Sequence, residues 1–276
     1  MLSTVGLIFG VVAAWWLSTG LIFLLGRRSP GTFRWSLLGA TALLPGALWL
    51  LHASSNTATA LGACLGFGAA IAVWAWLEMS FLLGAVTGPR RAACAPGCGG
   101  KRHFWHAVEA ILYHEIVSLM LLALALALSW HAANQYGLWT LLLLWGMRVS
   151  AKLNLHFGVP NIGAAMLPPH LKYLASFFRQ RRTSALFPLS VLIAAGSSIA
   201  LIYAAWKARA EPFEGTGLTL LATLCTLGLI EHGMLTLSLP ADAFWSWLRR
   251  IGRRGAASRP ATCRAHHPAR PAPDSP

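Results

Sequence analysis

The sequence predicts an all-α protein, a polytopic integral membrane helical bundle of about seven transmembrane helices. Of its 276 residues, 56% are hydrophobic and only 11% are charged. With a mean hydropathy of +0.59, this composition lies outside the usual range of soluble globular domains. Apolar windows long enough to cross a bilayer, about 20 residues each, recur along the chain. Because a helix satisfies its own backbone hydrogen bonds in lipid, each window is predicted to be helical.

The predicted spans follow one another with mostly short connections. They cover residues 4–25, 35–52, 59–86, 106–128, 136–156, 186–206 and 216–238. No basic segment precedes the first window, which is too long for a signal-peptide core, so we treat it as structure. Pro45 and Gly46 interrupt the second window, which leaves open whether residues 35–52 span completely. Residues 1–248 form the predicted transmembrane domain, and residues 249–276 form a basic, disordered cytoplasmic tail that is too poor in apolar side chains to fold.

The distribution of charge predicts the orientation of the chain. A net charge of +14 arises from 22 Lys and Arg against 8 Asp and Glu. The basic residues concentrate after the first, third and fifth spans and in the tail, whereas the loops at 52–58 and 129–136 carry none. By the positive-inside rule the N-terminus lies outside and the C-terminus in the cytoplasm. Membrane lipid is therefore a predicted partner and nucleic acid is not.

Two cations in the fifth span are the most unusual feature of the sequence. Arg148 and Lys152 lie four residues apart, so they share one helix face. An ionisable group near the bilayer centre costs about 3 kcal/mol or more, so it is rarely present without a partner. Glu78, Glu115 and Glu231 lie in other predicted spans. Each of these three carboxylates, like Arg148, sits about 12–15 Å from the predicted cytoplasmic boundary, at 1.5 Å per helical residue.

Equal depth predicts a buried polar cluster that joins the third, fourth, fifth and seventh spans. Its predicted members are Glu78, His114, Glu115, Arg148, Lys152, Asn154, Glu231 and His232. Two interpretations stay open: interhelical ion pairs that hold the bundle, or a ligand site that opens to the cytoplasm. Either histidine could also ligate the magnesium of a chlorophyll or a haem iron.

Neither the cysteines nor any known catalytic motif identifies an activity. Five cysteines form an odd set, two of them in apolar spans, so we expect reduced thiols and no disulfide framework. Cys94, Cys98, His103 and His106 offer soft-metal ligands, but their spacing fits no standard zinc pattern closely, and we predict no metal site. The sequence contains no phosphate loop, zinc-protease motif or nucleophile elbow. No catalytic residue is predicted, and enzyme activity is disfavoured.

The loop at residues 158–185 has its own pattern. Prolines break its first half, after which residues 170–182 are predicted to form an amphipathic helix in the membrane interface. This helix would contact lipid or dock a partner protein. The residues predicted to make this contact are His170, Lys172, Tyr173, Phe177, Phe178 and Arg179.

Two runs carry a resemblance to a known family. The runs are Arg148-Val-Ser-Ala-Lys-Leu-Asn154 and Leu167 to Phe178, and two shorter motifs are Tyr113-His-Glu115 and Glu231-His232. Together they resemble motifs of the PuhE family of photosynthetic complex assembly proteins of phototrophic bacteria. The match covers most of residues 103–248. His156 departs from the pattern, in which an apolar residue is usual, as does the scarcity of acidic residues between Gly163 and Pro169.

The resemblance implies a multi-pass protein of the bacterial inner, intracytoplasmic membrane, in which the outside N-terminus predicted from charge is periplasmic. It implies a role in forming the reaction centre and core antenna, through bacteriochlorophyll supply or delivery. The implied partners are subunits of those complexes or pigment-synthesis proteins, and bacteriochlorophyll or a precursor is the implied ligand. Two alternatives remain: a transporter or pigment carrier whose Arg148 and Lys152 bind carboxylate or phosphate, and an intramembrane tetrapyrrole or lipid enzyme with Glu115 or Glu231 as acid or base.

Overall fold

The computed structural model describes residues 3–26, 30–164 and 167–237. This part of the chain is all-helical, as predicted, and its only extended pairing is an isolated bridge between Val159 and Gln180. The predicted tail, 249–276, lies outside the described residues. Seven α-helices and one 3-10 helix follow in order: α1 Thr4–Gly26, α2 Pro30–Ser55, α3 Ala60–Leu82, α4 Gly100–Leu128, α5 Tyr136–Phe157, the 3-10 helix Pro169–Phe177, α6 Leu186–Lys207 and α7 Pro212–Met234.

The number of helices apolar enough to span a membrane differs from the prediction. Among the described residues, six qualify by length and composition, namely α1, α2, α3, α4, α6 and α7, rather than the seven expected. The remaining helix, α5, carries Arg148, Lys152, Asn154 and His156, which lower its hydropathy. It packs against α3, α4 and α7, so its polar side chains face other helices.

Several helix boundaries also differ from the predicted windows. α2 continues through Pro45 for 26 residues, about 39 Å at 1.5 Å per residue, and is long enough to cross. α3 ends at Leu82, four residues before the predicted end. α4 begins six residues early and runs for 29 residues, about 43 Å, which exceeds a hydrocarbon core of about 30 Å. One end of α4 therefore extends beyond the apolar layer.

Glycines allow α5 to approach its neighbours closely. A Cβ on Gly137 would lie 2.9 Å from the carbonyl oxygen of Gly66 in α3 and 2.4 Å from Cδ1 of Leu51 in α2. Small residues let membrane helices pack backbone to backbone, where dispersion forces hold them together. This contact fixes the position of α5 relative to α3, and therefore the position of the cations that α5 carries.

At one end of the bundle, a buried asparagine joins two loops. The Nδ2 of Asn134, between α4 and α5, donates to the carbonyl oxygens of Ser54 at 2.9 Å and Thr57 at 3.3 Å. Its Oδ1 accepts a hydrogen bond from the backbone N–H of Tyr136 at 3.1 Å. The loops that follow α2 and α4 therefore lie on the same side of the bundle.

At the opposite end lies a layer that we call the cap, formed by residues 84–99, 158–164 and 167–185. Instead of the predicted amphipathic helix over 170–182, the chain forms a 3-10 helix that ends at Phe177. Phe178 is extended, and the next residue, Arg179, donates its backbone N–H to the carbonyl of Leu155 at 2.9 Å. Backbone pairing with the end of α5 thus competes with continued helix formation.

The apolar side of this segment faces the protein rather than lipid. Leu171, Leu174 and Phe177 are buried in one cluster with Phe81 of α3 and Ala110 of α4. The amphipathic pattern was therefore recognised, but the partner of its apolar side was not. The cap closes one end of the helical bundle.

Candidate functional site

Two ion pairs link α5 to its neighbours. Nη2 of Arg148 donates to Oε2 of Glu78 in α3 at 2.6 Å, and Nζ of Lys152 donates to Oε1 of Glu115 in α4 at 2.5 Å. Since the two cations lie one helical turn apart on α5, they reach two different helices from one face. Glu78 is only 8% exposed, so its charge depends on Arg148 for compensation.

The pair formed by Arg148 and Glu78 is incompletely satisfied. Oε1 of Glu78 and Nε of Arg148 are buried and have no hydrogen-bond partner in the structure. Buried polar atoms nearly always find a partner, in protein, water or ligand, and leaving one unpaired costs about 1–3 kcal/mol. The two atoms therefore offer one acceptor and one donor to a bound molecule.

Two cavities meet at Arg148. The first, which we call the cap cavity, has a volume of about 240 Å³ and lies between α3, α4, α5 and the cap, with Lys152, His156 and Phe177 in its wall. The second, the α1-side cavity, has a volume of about 190 Å³ and lies between α1, α3, α5 and α7. Glu78 and Glu231 line the α1-side cavity. Arg148 lines both cavities.

Glu231 differs from the other two carboxylates. Its Oε1 accepts a hydrogen bond from Nε1 of Trp15 at 2.9 Å, and none of the ion pairs found among the described residues involves it. Glu231 and Trp15 both face the α1-side cavity. The first helix, which the sequence analysis treated only as structure, therefore contributes to the site.

His232 is held by hydrogen bonds on both ring nitrogens. Its Nδ1 lies 2.9 Å from the carbonyl oxygen of Gly228, and its Nε2 lies 2.9 Å from Oγ of Ser150. A carbonyl only accepts, so Nδ1 carries the proton and Nε2 accepts from the serine. A pigment metal at Nε2 would have to displace Ser150.

His114 is fully enclosed. It is 1% exposed, its ring lies 4.7 Å from the ring of Phe81, and it lines neither the cap cavity nor the α1-side cavity. Its Nδ1 has no partner. Ligation of a pigment by His114 would therefore require the helices around it to open.

Asn154 joins the site to α6. Its Nδ2 donates to Oγ of Ser190 at 2.9 Å and to the carbonyl oxygen of Ser150 at 2.9 Å.

All eight predicted cluster residues lie on α3, α4, α5 and α7, but they contact different partners. Sequence reasoning missed Trp15, Ser150 and Ser190. The sequence offered a signal for Trp15 alone, which lies in the middle of a predicted span, because an indole N–H there needs an acceptor.

Four of the six predicted contact residues of the cap divide into two groups, and the other two, Tyr173 and Arg179, are half-buried. His170 and Lys172 are exposed, and the imidazole of His170 also donates from Nε2 to the carbonyl of Leu82 at 3.0 Å. Phe177 is buried, and Phe178 lines the cap cavity beside it. The first group is available to lipid or a partner protein, whereas the second group forms the wall of the cavity.

The structure also brings Cys94, Cys98 and His106 together. The two cysteines form a disulfide, which corrects the expectation of unpaired thiols, and one ring nitrogen of His106 lies beside both sulfurs. Such a group could hold a metal ion, although the spacing in sequence did not indicate one. His103 instead lies beside the carbonyl of Ser176 at 3.2 Å.

Comparison with known proteins finds two matches. The family described as "Protein of unknown function (DUF3623)" matches residues 1–255. An "Uncharacterized 30.4 kDa protein in puhA 5'region" of Rhodobacter capsulatus is 36% identical over 245 residues, which cover 86% of this chain and 88% of that protein. No solved structure matches the chain.

Proposed function

Because the chain belongs to the DUF3623 family, whose name assigns no activity, we propose from its site and its relative that it is an assembly factor for photosynthetic reaction centre and core antenna complexes. The name of the relative places it in the puhA 5′ region, and we infer a photosynthetic context from that position. The motifs shared with the PuhE family support the same context. The membrane is then the bacterial inner, intracytoplasmic membrane.

The observation that carries the proposal is the pair of cations at the edge of an apolar cavity. Lys152 and Arg148 lie in the wall of the cap cavity, which is otherwise lined mainly by apolar side chains such as Phe81, Leu174 and Phe178. Guanidinium and ammonium groups bind carboxylates and phosphates through charge-assisted hydrogen bonds. The cap cavity therefore suits an anionic amphiphile, with its acidic group at the cations and its apolar part against the aromatic wall.

A bacteriochlorophyll precursor is one such amphiphile, since a tetrapyrrole acid combines a carboxylate with a flat apolar ring. A cavity of about 240 Å³ is smaller than most sites that enclose a whole ligand, about 300–1,000 Å³. Part of the molecule would therefore extend into lipid or a partner subunit. This fits a protein that presents a pigment or lipid to an assembling complex.

A pigment carrier is the second candidate. Arg148 and Glu78 lie between the cap cavity and the α1-side cavity, so the ion pair separates them. Opening it would join the two cavities across part of the bundle. The intramembrane enzyme has less support, because Glu115 already pairs with Lys152 and Glu231 with an indole N–H.

We place α5 as a seventh span. It begins two residues after Asn134, which joins the loops at one end, and it ends at the cap, so its 22 residues traverse the bundle over about 33 Å. The cap carries Arg90, Arg91, Lys172 and Arg179. By the positive-inside rule the cap lies in the cytoplasm, with the N-terminus in the periplasm.

Reporter fusions test this orientation. A fluorescent protein that matures only in the cytoplasm is expected to fluoresce when fused after Pro276 and to stay dark when inserted at Asn56 or His131. Alkaline phosphatase, which is active only in the periplasm, should give the opposite pattern at the same positions. The reverse result from both reporters would contradict the proposed topology.

Complementation tests the function. In a Rhodobacter capsulatus strain that lacks the 36%-identical relative, this chain is expected to restore the near-infrared absorption of the core complexes. Lys152→Met should fail to do so, because a hydrogen bond to a charged group contributes about 1.5–3 kcal/mol, or roughly 10- to 100-fold in ligand affinity. Lys101→Met, at an exposed cation in the first turn of α4, is the matched control.

Protein amounts in the membrane are measured by immunoblot in the same strains. The proposal requires that Lys152→Met lowers complex yield per molecule of protein while Lys101→Met does not. Equal complex yield per molecule for Lys152→Met and the unaltered chain would contradict it. So would failure of the unaltered chain to raise the yield although it is present in the membrane.

A further inference from the structure

We propose that Cys94, Cys98 and His106 form a binding site for a thiophilic divalent metal ion, zinc, when the disulfide between the cysteines is reduced. The cluster lies in the cap, away from the two ion pairs of α5. It therefore goes beyond the proposed function. Its ligands are two sulfurs and one imidazole nitrogen, a set that suits zinc in proteins.

A tight turn brings the two cysteines together. The backbone N–H of Cys98 donates to the carbonyl of Ala95 at 3.1 Å, with Pro96 and Gly97 at the central positions. Gly97 has φ +80°, as the third residue of a type II turn requires. The Cα atoms of Cys94 and Cys98 are 6.2 Å apart as a result.

α4 supplies the third ligand. It begins at Gly100, so His106 lies nearly two turns into the helix and points back toward the turn. Its Nδ1 is 3.5 Å from Sγ of Cys94 and 3.4 Å from Sγ of Cys98. Tetrahedral zinc with bonds of about 2.3 Å to sulfur and 2.0 Å to nitrogen separates such ligands by about 3.5 Å.

The disulfide alone does not explain the position of His106. Sulfur is a weak hydrogen-bond acceptor, yet the imidazole nitrogen is almost equidistant from both sulfurs. His103 does not complete the set, because its Nε2 donates to the carbonyl of Ser176 and its ring stacks on that of His156. The fourth position is left to water or to an external ligand, as in open zinc sites.

Metal binding and the disulfide exclude each other. Two thiolates on one tetrahedral zinc lie about 3.8 Å apart, so the sulfur–sulfur bond must break first. A dithiol reductant supplies two electrons and two protons, giving two thiols, and is itself oxidised to a disulfide. Zn²⁺ then displaces both thiol protons as the thiolates bind it.

The site is tied directly to the wall of the cap cavity. The backbone N–H of Cys94 donates to Oγ of Ser176 at 2.9 Å, and Ser176 belongs to the 3-10 helix whose Leu174 and Phe177 line that cavity. A metal bound to Cys94 and His106 would link this helix to α4 through the turn. It would hold the cap in place.

Cobalt titration of the full chain in detergent micelles tests the proposal. The protein is reduced with dithiothreitol, separated from it without oxygen, and titrated with Co²⁺. We expect one Co²⁺ per chain, with thiolate-to-cobalt absorption in the near ultraviolet and tetrahedral bands in the visible, both removed by Zn²⁺. Cys98→Ser should weaken Co²⁺ binding by about 100-fold or more, whereas Cys64→Ser should bind Co²⁺ like the unaltered chain.

Thiol alkylation gives a second measurement that needs no variant. Zn²⁺ is expected to protect Cys94 and Cys98 of the reduced chain from N-ethylmaleimide while leaving the rate at Cys64 unchanged, with each cysteine followed by mass spectrometry. The proposal is overturned if the reduced chain shows no thiolate-to-cobalt absorption, if Cys98→Ser shows it unchanged, or if Zn²⁺ protects neither cysteine.

Discussion

Arg148→Ala is expected to reduce both the stability of the protein and its function, and to have the largest effect of any single substitution in the site. It leaves Glu78, which is 8% exposed, without a compensating charge. Removing one partner of a buried ion pair costs about 3–5 kcal/mol. The side chain of Arg148 is 41% exposed. We therefore expect the loss of free energy of unfolding to lie near the lower end of this range, at about 3 kcal/mol.

Equilibrium unfolding in mixed detergent micelles measures the free energy of unfolding of this variant. Arg91→Ala removes an exposed arginine of the cap and is expected to change the free energy by less than about 0.5 kcal/mol. If Arg148→Ala lowers the free energy of unfolding no more than this control does, the ion pair contributes nothing to the stability of the bundle.

Gly137→Ala is the second substitution with a large expected effect. The added Cβ would lie 2.9 Å from the carbonyl oxygen of Gly66 and 2.4 Å from Cδ1 of Leu51. Leu51 is itself buried in the core, and a backbone oxygen of α3 cannot move aside as the end of a side chain can, so the two helices must separate. Overpacking of this kind costs about 1–3 kcal/mol.

Gly146→Ala is the matched control in the same helix. A Cβ at Gly146 has nothing within 4 Å, and alanine favours a helix over glycine by up to about 1 kcal/mol. We therefore expect Gly137→Ala to lower the free energy of unfolding and Gly146→Ala to leave it unchanged or raise it. Equal effects of the two substitutions would contradict the close packing of α3 and α5.

Much of the fold follows from hydropathy alone. The apolar windows located every α-helix of the described residues, because about 20 apolar residues in a row have few alternatives to a membrane helix. The boundaries were less accurate. The first turns of α4, which contain Lys101 and Arg102, are too polar to count as part of a span. The helix nevertheless includes them, and one side of it packs against the cap through the buried His103.

The site was predictable in part. Comparison of depths indicated that Glu78 and Glu115 are level with Arg148, and the structure pairs them with Arg148 and Lys152, respectively. The function of these two ion pairs stays a prediction. Depth could not reveal Trp15, whose role depends on where α1 packs, and no charge marks that contact in the sequence.

Two tertiary contacts limited the prediction of the cap. The amphipathic pattern of residues 170–182 correctly marked an apolar side, but periodicity cannot tell lipid from protein as its partner. Likewise, the spacing of Cys94, Cys98 and His106 in the sequence did not show that they meet, because the position of His106 depends on where α4 begins. Contacts between segments that are far apart in sequence decided both outcomes.

The central claim is that the ion pair of Arg148 and Glu78 belongs to a ligand site and does not merely hold helices together. The double variant Glu78→Met/Arg148→Met tests it, because replacing a buried ion pair by apolar side chains is often neutral or stabilising. We predict a free energy of unfolding within about 1 kcal/mol of the unaltered chain, with core-complex yield still lost in the complementation strain. Full recovery of that yield together with stability would contradict the claim.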